Sequence, residues 1–354
     1  MTAFDPKRTF VGAAIGGTRN GSDGRDKTVN MIPSLADIST TAQTYADFAE
    51  KEARGRSPLY VEVCLGISRD TEFLPRLAAL PKDKRQPNLL LAAVKYLHGT
   101  SSGWSQFRDL ALTDWDRIAA IVAARRTQTN EPARCATLLP LLARLPQPLA
   151  LLEVGASAGL CLLPDYYDYD FGGHRVFPSR DVHYSPLFHC EVNAATPLPE
   201  RNIEVAWRAG LDINPLDPTS EEDTHWLKAL VWPGEGDRER LLDEALSVAR
   251  TAKPRVVRGD LRTDLAVLAA EAPQKATLVI YHTAVLAYVT EPADRLAFKE
   301  SVAALGAQWI SNESASLSDW KGATPAIWGS FILALNGAPI ARTDAHGTRL
   351  HWLA

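Results

Sequence analysis

The sequence predicts an α/β protein in which an all-helical N-terminal domain precedes a mainly parallel sheet. Over residues 38–145 the apolar residues recur at helical spacing, whereas after Pro148 short apolar runs alternate with helical stretches. That alternation is typical of strand–helix–strand crossovers, which build parallel sheets. The 354 residues exceed what one hydrophobic core usually holds, so we expect two folding units.

The composition narrows the class of protein. With 38 Lys and Arg against 42 Asp and Glu the formal net charge is -4, and no dense basic block marks a nucleic-acid-binding surface. The four cysteines show no Cys-x-x-Cys pair or zinc-site spacing, so we predict no metal and a reducing, cytoplasmic location. No apolar stretch is long enough to span a bilayer. We expect a small-molecule substrate, with no nucleic-acid or membrane partner, and nothing indicates an oligomeric state.

Domain boundaries follow from changes along the chain. Residues 1–32 are polar and glycine-rich without a helical or strand period, which predicts a flexible leader. The helical domain is expected over 33–146. The α/β domain is expected over 147–354, with an irregular insertion at about 164–200 that is rich in Tyr, Asp, His and Pro.

Seven strands and four helices are predicted for the α/β domain. Each strand is a short run of apolar residues bounded by residues that favour turns. The predicted strands are 149–153, 203–212, 255–258, 277–282, 307–312, 330–336 and 347–353. The predicted helices are 221–231, 237–251, 261–271 and 292–305.

The segment 149–160 is the most informative in the chain. A buried strand ends at Glu153, and Gly155 and Gly159 then bracket Ser157 in a turn that leads towards a helix. Glycines leave backbone room for a ligand at the carboxyl end of a strand, where open α/β sheets bind. We therefore expect a ligand site at this turn.

Polar residues end the following predicted strands, and in a doubly wound sheet these ends line one crevice. Asp212 ends the second strand, where it can bind a ribose diol, and Asp260 follows the third, where it can accept from an exocyclic amine. We predict His282, at the end of the fourth strand, as the acid–base group, with Glu313 on the fifth as second choice. The simpler alternatives are turn or helix caps for the two aspartates and a core histidine for His282.

This order of motifs resembles that of class I S-adenosylmethionine-dependent methyltransferases. The matching features are Glu-x-Gly-x-Ser-x-Gly, Gly-x-Asp-x-Asn-Pro, Gly-Asp and a two-stranded finish over 331–352. The resemblance implies a Rossmann-like, methyltransferase-type seven-stranded sheet and S-adenosylmethionine as cofactor. It implies that the methionine part lies at the glycine turn, the ribose at the second-strand acid and the adenine by the third-strand acid. The cofactor-binding residues carried over are Glu153, Gly155, Ser157, Gly159, Asp212 and Asp260.

From about residue 38 onward the chain also resembles a bacterial family of unknown function. The strings that carry this resemblance are Arg85-Gln-Pro-Asn-Leu-Leu-Leu-Ala-Ala-Val94, Arg126-Thr-Gln-Thr-Asn-Glu131, the segment 151–163, Arg258-Gly-Asp260 and His346-Gly347. The family implies membership but supplies no reaction.

Four polar side chains precede the last helix of the helical domain. A loop seldom needs so many polar side chains, so we predict that they reach the cleft above the sheet and bind substrate. They are Arg126, Gln128, Asn130 and Glu131. The alternative is a hydrogen-bonded hinge between domains. Asn130 is also expected to cap the helix that follows.

Other functions compete for the glycine turn. Gly-Ala-Ser-Ala-Gly also matches the nucleophile elbow of serine hydrolases, in which Ser157 would attack with His346 or His282 as base. Against this, about 110 helical residues precede the turn, where hydrolases place strands. A dinucleotide fingerprint would need glycine at Ser157 and Leu160. A non-catalytic, methyltransferase-like binding protein is the remaining alternative.

Overall fold

The computed structural model describes three stretches of the chain, residues 33–182, 184–317 and 330–353. The leader predicted at 1–32 lies outside them. Within these stretches no helix combines the length and the apolar character needed to cross a membrane.

Two compact units divide the chain. The first runs to Thr127 and takes in Trp232–Glu235, and the second consists of Gln128–Val231 and Gly236–Ala354. The division after Thr127 comes earlier than the boundary predicted after residue 146. The reason is that the helix containing Cys135 packs with the second unit, where its thiol donates to the carbonyl of Cys161.

The described part of the first unit is helical. Ser34 caps its first helix, because the Ser34 side chain accepts from the Asp37 N–H at 3.1 Å. Trp232 belongs to this unit because its ring packs 5.2 Å from that of Phe48 and its Nε1–H donates to Asn88 at 2.9 Å. The helices are α1 (Leu35–Phe48), α2 (Pro58–Ile67), α3 (Phe73–Ala78), α4 (Pro87–His98), α5 (Trp104–Thr113) and α6 (Trp115–Ala124), with a π-helical turn at Ala49–Ala53 and a 3-10 turn at Lys82–Lys84.

The second unit combines helices with strands. Its described helices are α7 (Arg134–Leu142), α8 (Glu221–Ala229), α9 (Gly236–Ala252), α10 (Leu265–Ala269) and α11 (Pro292–Ala304), with 3-10 helices at Leu160–Leu162, Pro164–Tyr166, Leu286–Tyr288 and Ala315–Leu317. Its described strands are β1 (Leu149–Val154), β2 (Asp168–Asp170), β3 (Arg175–Val176), β4 (Leu187–His189), β5 (Glu191–Val192), β6 (Val205–Asp212), β7 (Val256–Arg258), β8 (Thr277–Thr283), β9 (Gln308–Ser314), β10 (Ser330–Leu335), β11 (Ala338–Asp344) and β12 (Arg349–Trp352).

Nine of the described strands form one mixed sheet in the order β5-β12-β11-β10-β9-β8-β1-β6-β7. The strands β7, β6, β1, β8 and β9 are parallel, whereas β10, β11 and β12 each pair antiparallel with the strand before them. Along the chain the parallel strands come third, second, first, fourth and fifth. The strand order therefore reverses beside β1, which is where doubly wound sheets bind ligands.

The helical N-terminal region and the large, mostly parallel sheet confirm the coarse prediction, but the predicted number of seven strands is wrong. β11 was not predicted, although it follows Asn336 and Gly337, whose φ angles of 52° and 83° make a tight hairpin turn. The other additional strand, β5, comes from the predicted insertion and pairs in parallel with β12 at the sheet edge.

The two faces of the sheet carry different kinds of residue near the end of β1. Leu152, Val154 and Ile280 join an apolar core with Phe298 of α11. Because successive strand residues point to opposite faces, Glu153 points away from this core, to the face where α7 packs.

The insertion predicted at about 164–200 forms a second small sheet, β3-β2-β4, in its described part. It is tied to the main sheet by Asp165, which is fully buried and accepts two hydrogen bonds of 2.7 Å from Arg208 on β6. The hydroxyl of Tyr167 also donates to the carbonyl of Leu160 at 2.8 Å, so the insertion lies against the end of the glycine turn.

Candidate functional site

The turn after β1 is left-handed at three positions. Gly155, Ser157 and Gly159 have φ angles of 72°, 52° and 74°. Glycine is required at position 155 for a second reason, because a Cβ there would lie 2.4 Å from a methyl group of Val285. The turn is thus packed closely against the loop that follows β8.

Asp212, at the end of β6, holds this turn in place. One carboxylate oxygen accepts from the N–H of Ser157 at 2.7 Å, and the other accepts from the N–H of Asn214 at 2.7 Å. These bonds offset the strain of a left-handed, non-glycine Ser157. The predicted ribose-binding acid is therefore beside the turn, and the side-chain amide of Gln128 makes a third, longer hydrogen bond of 3.5 Å to its Oδ1.

Residues 128–131 lie over the turn. The side chain of Gln128 exchanges two hydrogen bonds with Asn214, of 2.6 and 2.7 Å. The main-chain carbonyl of Gln128 accepts from the Ser157 hydroxyl at 3.3 Å. Asn130 accepts from the N–H of Leu160 at 3.0 Å. The predicted cap of the following helix by Asn130 is wrong, because α7 begins only at Arg134 and the side chain instead serves the 3-10 helix after the turn.

The other two predicted substrate-binding residues, Glu131 and Arg126, lie in different units. Glu131 is buried in the second unit, where Arg238 donates to its Oε2 at 2.9 and 2.8 Å and His346 lies 3.5 Å away. Burial alone would raise the pKa of Glu131, but Arg238 and then His346 lower it to about 2, so the group is a carboxylate. Arg126 belongs to the first unit, where its charge lowers the pKa of Lys84 after the larger effect of burial.

The serine hydrolase alternative gains little from this geometry. The Ser157 hydroxyl donates to Gln128, and none of its described hydrogen bonds involves histidine. The two candidate bases lie beside carboxylates instead, His346 beside Glu131 and His282 beside Glu313.

Glu153 is 2 % exposed at the end of β1, and its Oε2 has no hydrogen-bond partner among the described residues. Burial, reinforced by Cys161 and Asp212 and opposed by Arg134, raises the pKa of Glu153 well above its usual range. Burial therefore favours the protonated form of Glu153, which can donate a hydrogen bond.

Glu153→Gln is expected to flatten the dependence of stability on pH. Between the usual pKa of a glutamate and the raised pKa of folded Glu153, unfolding releases the proton that the folded state retains, so the contribution of Glu153 to the free energy of unfolding falls by about 1.4 kcal/mol per pH unit. Glutamine keeps the neutral shape and removes the titration, so the variant gains stability relative to the wild type as pH rises.

Urea unfolding at about pH 5 and about pH 8 measures this difference. Glu191→Gln, at an exposed position on β5, is the matched control and is expected to follow the wild type. Parallel pH profiles for Glu153→Gln and the wild type would show that Glu153 is not protonated in the folded state.

His282 lies on the opposite face of the sheet and is fully buried. Trp309 Nε1–H donates to its Nε2 at 3.1 Å, so the proton of the neutral ring is on Nδ1, which donates to Glu313 at 2.6 Å. The same Glu313 oxygen accepts from the N–H groups of Val285 and Leu286 at 2.8 and 3.2 Å. This geometry fits the alternative of a core histidine, and it makes Glu313 the anchor of the loop that packs on Gly155.

The carboxylate of Asp260 is engaged by a neighbouring side chain. Its carboxylate accepts three hydrogen bonds from the Arg262 guanidinium, of 2.6 to 3.1 Å, and one from the Arg262 N–H. Arg262 accordingly lowers the pKa of Asp260. The N–H of Gly259 donates to the Asp212 carbonyl at 2.9 Å, which brings the backbone of Asp260 near Asp212. The bond from the Arg262 N–H to the Asp260 carboxylate fits the alternative in which Asp260 caps a turn.

Two residues at the strand ends were not predicted. Arg134 opens the largely apolar α7 and donates to the Thr283 carbonyl and hydroxyl at 3.2 and 3.3 Å. Asn312 on β9 accepts from the Thr343 hydroxyl at 2.7 Å. An arginine within a buried apolar helix was the available signal. The described residues contain no group of three or more His, Cys, Asp or Glu placed to bind a metal ion.

The comparisons with known proteins identify a family but no reaction. No curated protein and no solved structure matches the chain. One family model, described as an uncharacterised protein conserved in bacteria, matches residues 42–352. This match covers both units and confirms the expected membership in a bacterial family of unknown function. The chain therefore belongs to the DUF2332 family of bacterial proteins.

Proposed function

We propose that the second unit is an S-adenosylmethionine-dependent methyltransferase that acts on a small molecule. The observation that carries the proposal is the left-handed turn at Gly155, Ser157 and Gly159, which lies at the carboxyl end of β1 beside the reversal of strand order. Open α/β sheets bind nucleotide-like ligands at this point. Asp212 on the neighbouring strand places a carboxylate against the same turn.

The residues of the turn fit such a cofactor. The Oε2 of Glu153 is buried without a described partner, and burial raises the pKa of Glu153, which favours a protonated form that can donate to the ligand. Asp212 retains a lone pair for a ribose hydroxyl beyond the bonds from Ser157, Asn214 and Gln128. Gln128 and Asn130 cover the turn and would contact the bound ligand.

The cofactor supplies a methyl group bound to a sulfonium sulfur. After transfer of the methyl group to the acceptor, the rest of the cofactor leaves as a neutral thioether. The protein then has to hold donor and acceptor in line and to exclude water, which accounts for much of the acceleration in such displacements. In this proposal Glu313 positions the glycine turn, because it binds the N–H of Val285, which packs against Gly155. His282 holds Glu313 in place through their hydrogen bond.

Isothermal titration of the full chain with S-adenosylmethionine and S-adenosylhomocysteine tests the proposal. We expect saturable binding, and we expect Asp212→Asn to weaken it by about tenfold because one charge-assisted contact to the ribose is lost. Asp237→Asn is the matched control, since it makes the same change on α9 at a side chain that is 94 % exposed.

Two outcomes would contradict the proposal. One is the absence of binding at millimolar ligand, after which Ser157 and ester substrates become the next hypothesis. The other is equal affinity in Asp212→Asn and the wild type, with both shown by circular dichroism to be folded. Such a result would place the ligand away from the turn.

A further inference from the structure

Arg134 is a buried cation whose described hydrogen-bond partners are all neutral. The residue is 7 % exposed, and its guanidinium donates to the carbonyls of Ala345 and Thr283 and to the Thr283 hydroxyl. The ring of Phe331 lies 5.9 Å below it. No carboxylate within ion-pair distance of Arg134 is described. The charge of Arg134 is the last and smallest of the effects that lower the pKa of Glu131, whose carboxylate is bound by Arg238. A buried guanidinium without an anion in direct contact is costly, so the site is suited to an anion from outside the chain.

Asn312 adds a second unused donor on the same face. It is fully buried, and its Oδ1 accepts from the Thr343 hydroxyl, whereas its Nδ2 has no hydrogen-bond partner among the described residues. Asn312 is the register partner of Thr283 on the neighbouring strand, so both side chains lie on the face that Arg134 covers. An orphaned amide N–H₂ beside a guanidinium is an arrangement that binds an oxyanion.

We propose that Arg134 and Asn312 bind an oxyanion of the methyl acceptor, which makes the acceptor an organic carboxylate or phosphate ester. The two residues, with Thr283, Phe331 and Thr343, form what we call the Arg134 patch. That the anion belongs to a methyl acceptor rests on the proposed function, whereas the anion site itself is argued only from the residues of the Arg134 patch.

The position of the patch favours the acceptor over the cofactor. Asn312 lies on β9, which is separated from β1 by β8, and Thr343 lies two strands further on β11. Neighbouring strands are about 4.8 Å apart, so Asn312 is roughly 10 Å across the sheet from the strand that carries the glycine turn. A ligand that occupies both places has its anionic end on the β8 and β9 side.

The first test measures anion binding without any cofactor. The full chain is titrated with sodium benzoate and with inorganic phosphate at constant ionic strength in chloride, and heat and thermal unfolding are both followed. We expect one of the two probes to bind saturably, which distinguishes a carboxylate from a phosphate acceptor. We expect Arg134→Gln to weaken that binding by at least tenfold and Arg134→Lys to weaken it less, because lysine keeps the charge but loses the planar fork.

Two further variants keep the test decisive if Arg134→Gln does not fold. The double variant Asn312→Leu/Thr343→Val replaces a hydrogen-bonded pair with apolar groups, so it is expected to fold and to bind the probe at least tenfold more weakly. Arg255→Gln, at an exposed arginine paired with Glu271, is the control and is expected to bind as the wild type does. Failure of both probes to bind, or equal binding by the wild type and the double variant, overturns the anion site.

A second titration separates this inference from the proposed function. S-adenosylhomocysteine carries a carboxylate, whereas 5′-methylthioadenosine lacks it. If Arg134→Gln weakens only the former, the cation serves the cofactor and the acceptor assignment is overturned. If neither ligand binds the wild type while benzoate or phosphate binding depends on Arg134, the proposed function fails and the anion site is supported. If both ligands bind independently of Arg134, the acceptor assignment is supported.

Discussion

Gly347→Ala is expected to lower the free energy of unfolding of the second unit by about 4 kcal/mol. Gly347 has a φ of 79°, and an added Cβ would lie 2.2 Å from the carbonyl oxygen of Ala133 and 2.5 Å from the N–H nitrogen of Arg134. Both atoms are backbone, so no side chain can rotate away. The start of α7 would have to move, and the Arg134 contact with Thr283 would be lost with it.

Urea unfolding followed by tryptophan fluorescence measures this change. Gly172→Ala is the matched control, because Gly172 has a similar φ of 70° but open space around the position of the new Cβ. The control carries the backbone strain without the clash and is expected to cost only about 1 kcal/mol. Equal losses in the two variants would mean that α7 does not pack on the turn at Gly347.

The glycine turn could be predicted from the sequence because its signal is local. The turn follows directly on a short apolar strand that ends at Glu153. Its glycines at 155 and 159 favour the left-handed backbone that the turn adopts. The same local logic was available for Asn336 and Gly337, whose hairpin would have added β11 to the predicted strands.

The surroundings of His282 illustrate what local patterns leave open. His282 follows Ile280 by two residues, so it shares the face of a core residue, and this alternation was a signal for burial. Its partners Trp309 and Glu313, however, come from β9. Their contact depends on β9 pairing beside β8, and no local pattern specifies that pairing.

The Arg134 patch was missed for a similar reason. Arg134, Thr283 and Asn312 come from α7, β8 and β9, and they meet only because β9 pairs with β8 and α7 packs on the sheet. Position in the sequence suggested a helix of the first domain for Arg134, whereas packing assigns that helix to the second unit. Burial of a polar side chain is a property of the assembled unit, and the helical period alone does not reveal it.

Glu313→Ala is expected to lower the free energy of unfolding by about 4 kcal/mol. The carboxylate is fully buried, and one of its oxygens accepts from His282 Nδ1–H and from the N–H groups of Val285 and Leu286. Alanine would leave three buried donors without an acceptor. Glu313→Gln keeps a carbonyl oxygen in the same place and is expected to lose only about 2 kcal/mol.

A double-mutant cycle with His282→Ala isolates the pair. Because the two side chains bind each other, the combined loss is expected to fall short of the sum of the single losses by about 2 kcal/mol, as measured by urea unfolding. Additive losses would show that the His282–Glu313 contact contributes nothing to the folded state.

The same variants separate a structural role from the predicted acid–base role of His282. If Glu313 acts by holding Val285 against Gly155, loosening that loop weakens S-adenosylhomocysteine binding in Glu313→Ala, and His282→Gln leaves the pH profile of turnover unchanged. If His282 is the base, His282→Gln lowers turnover at unchanged cofactor affinity. Its full burial and the engagement of both ring nitrogens favour the first result.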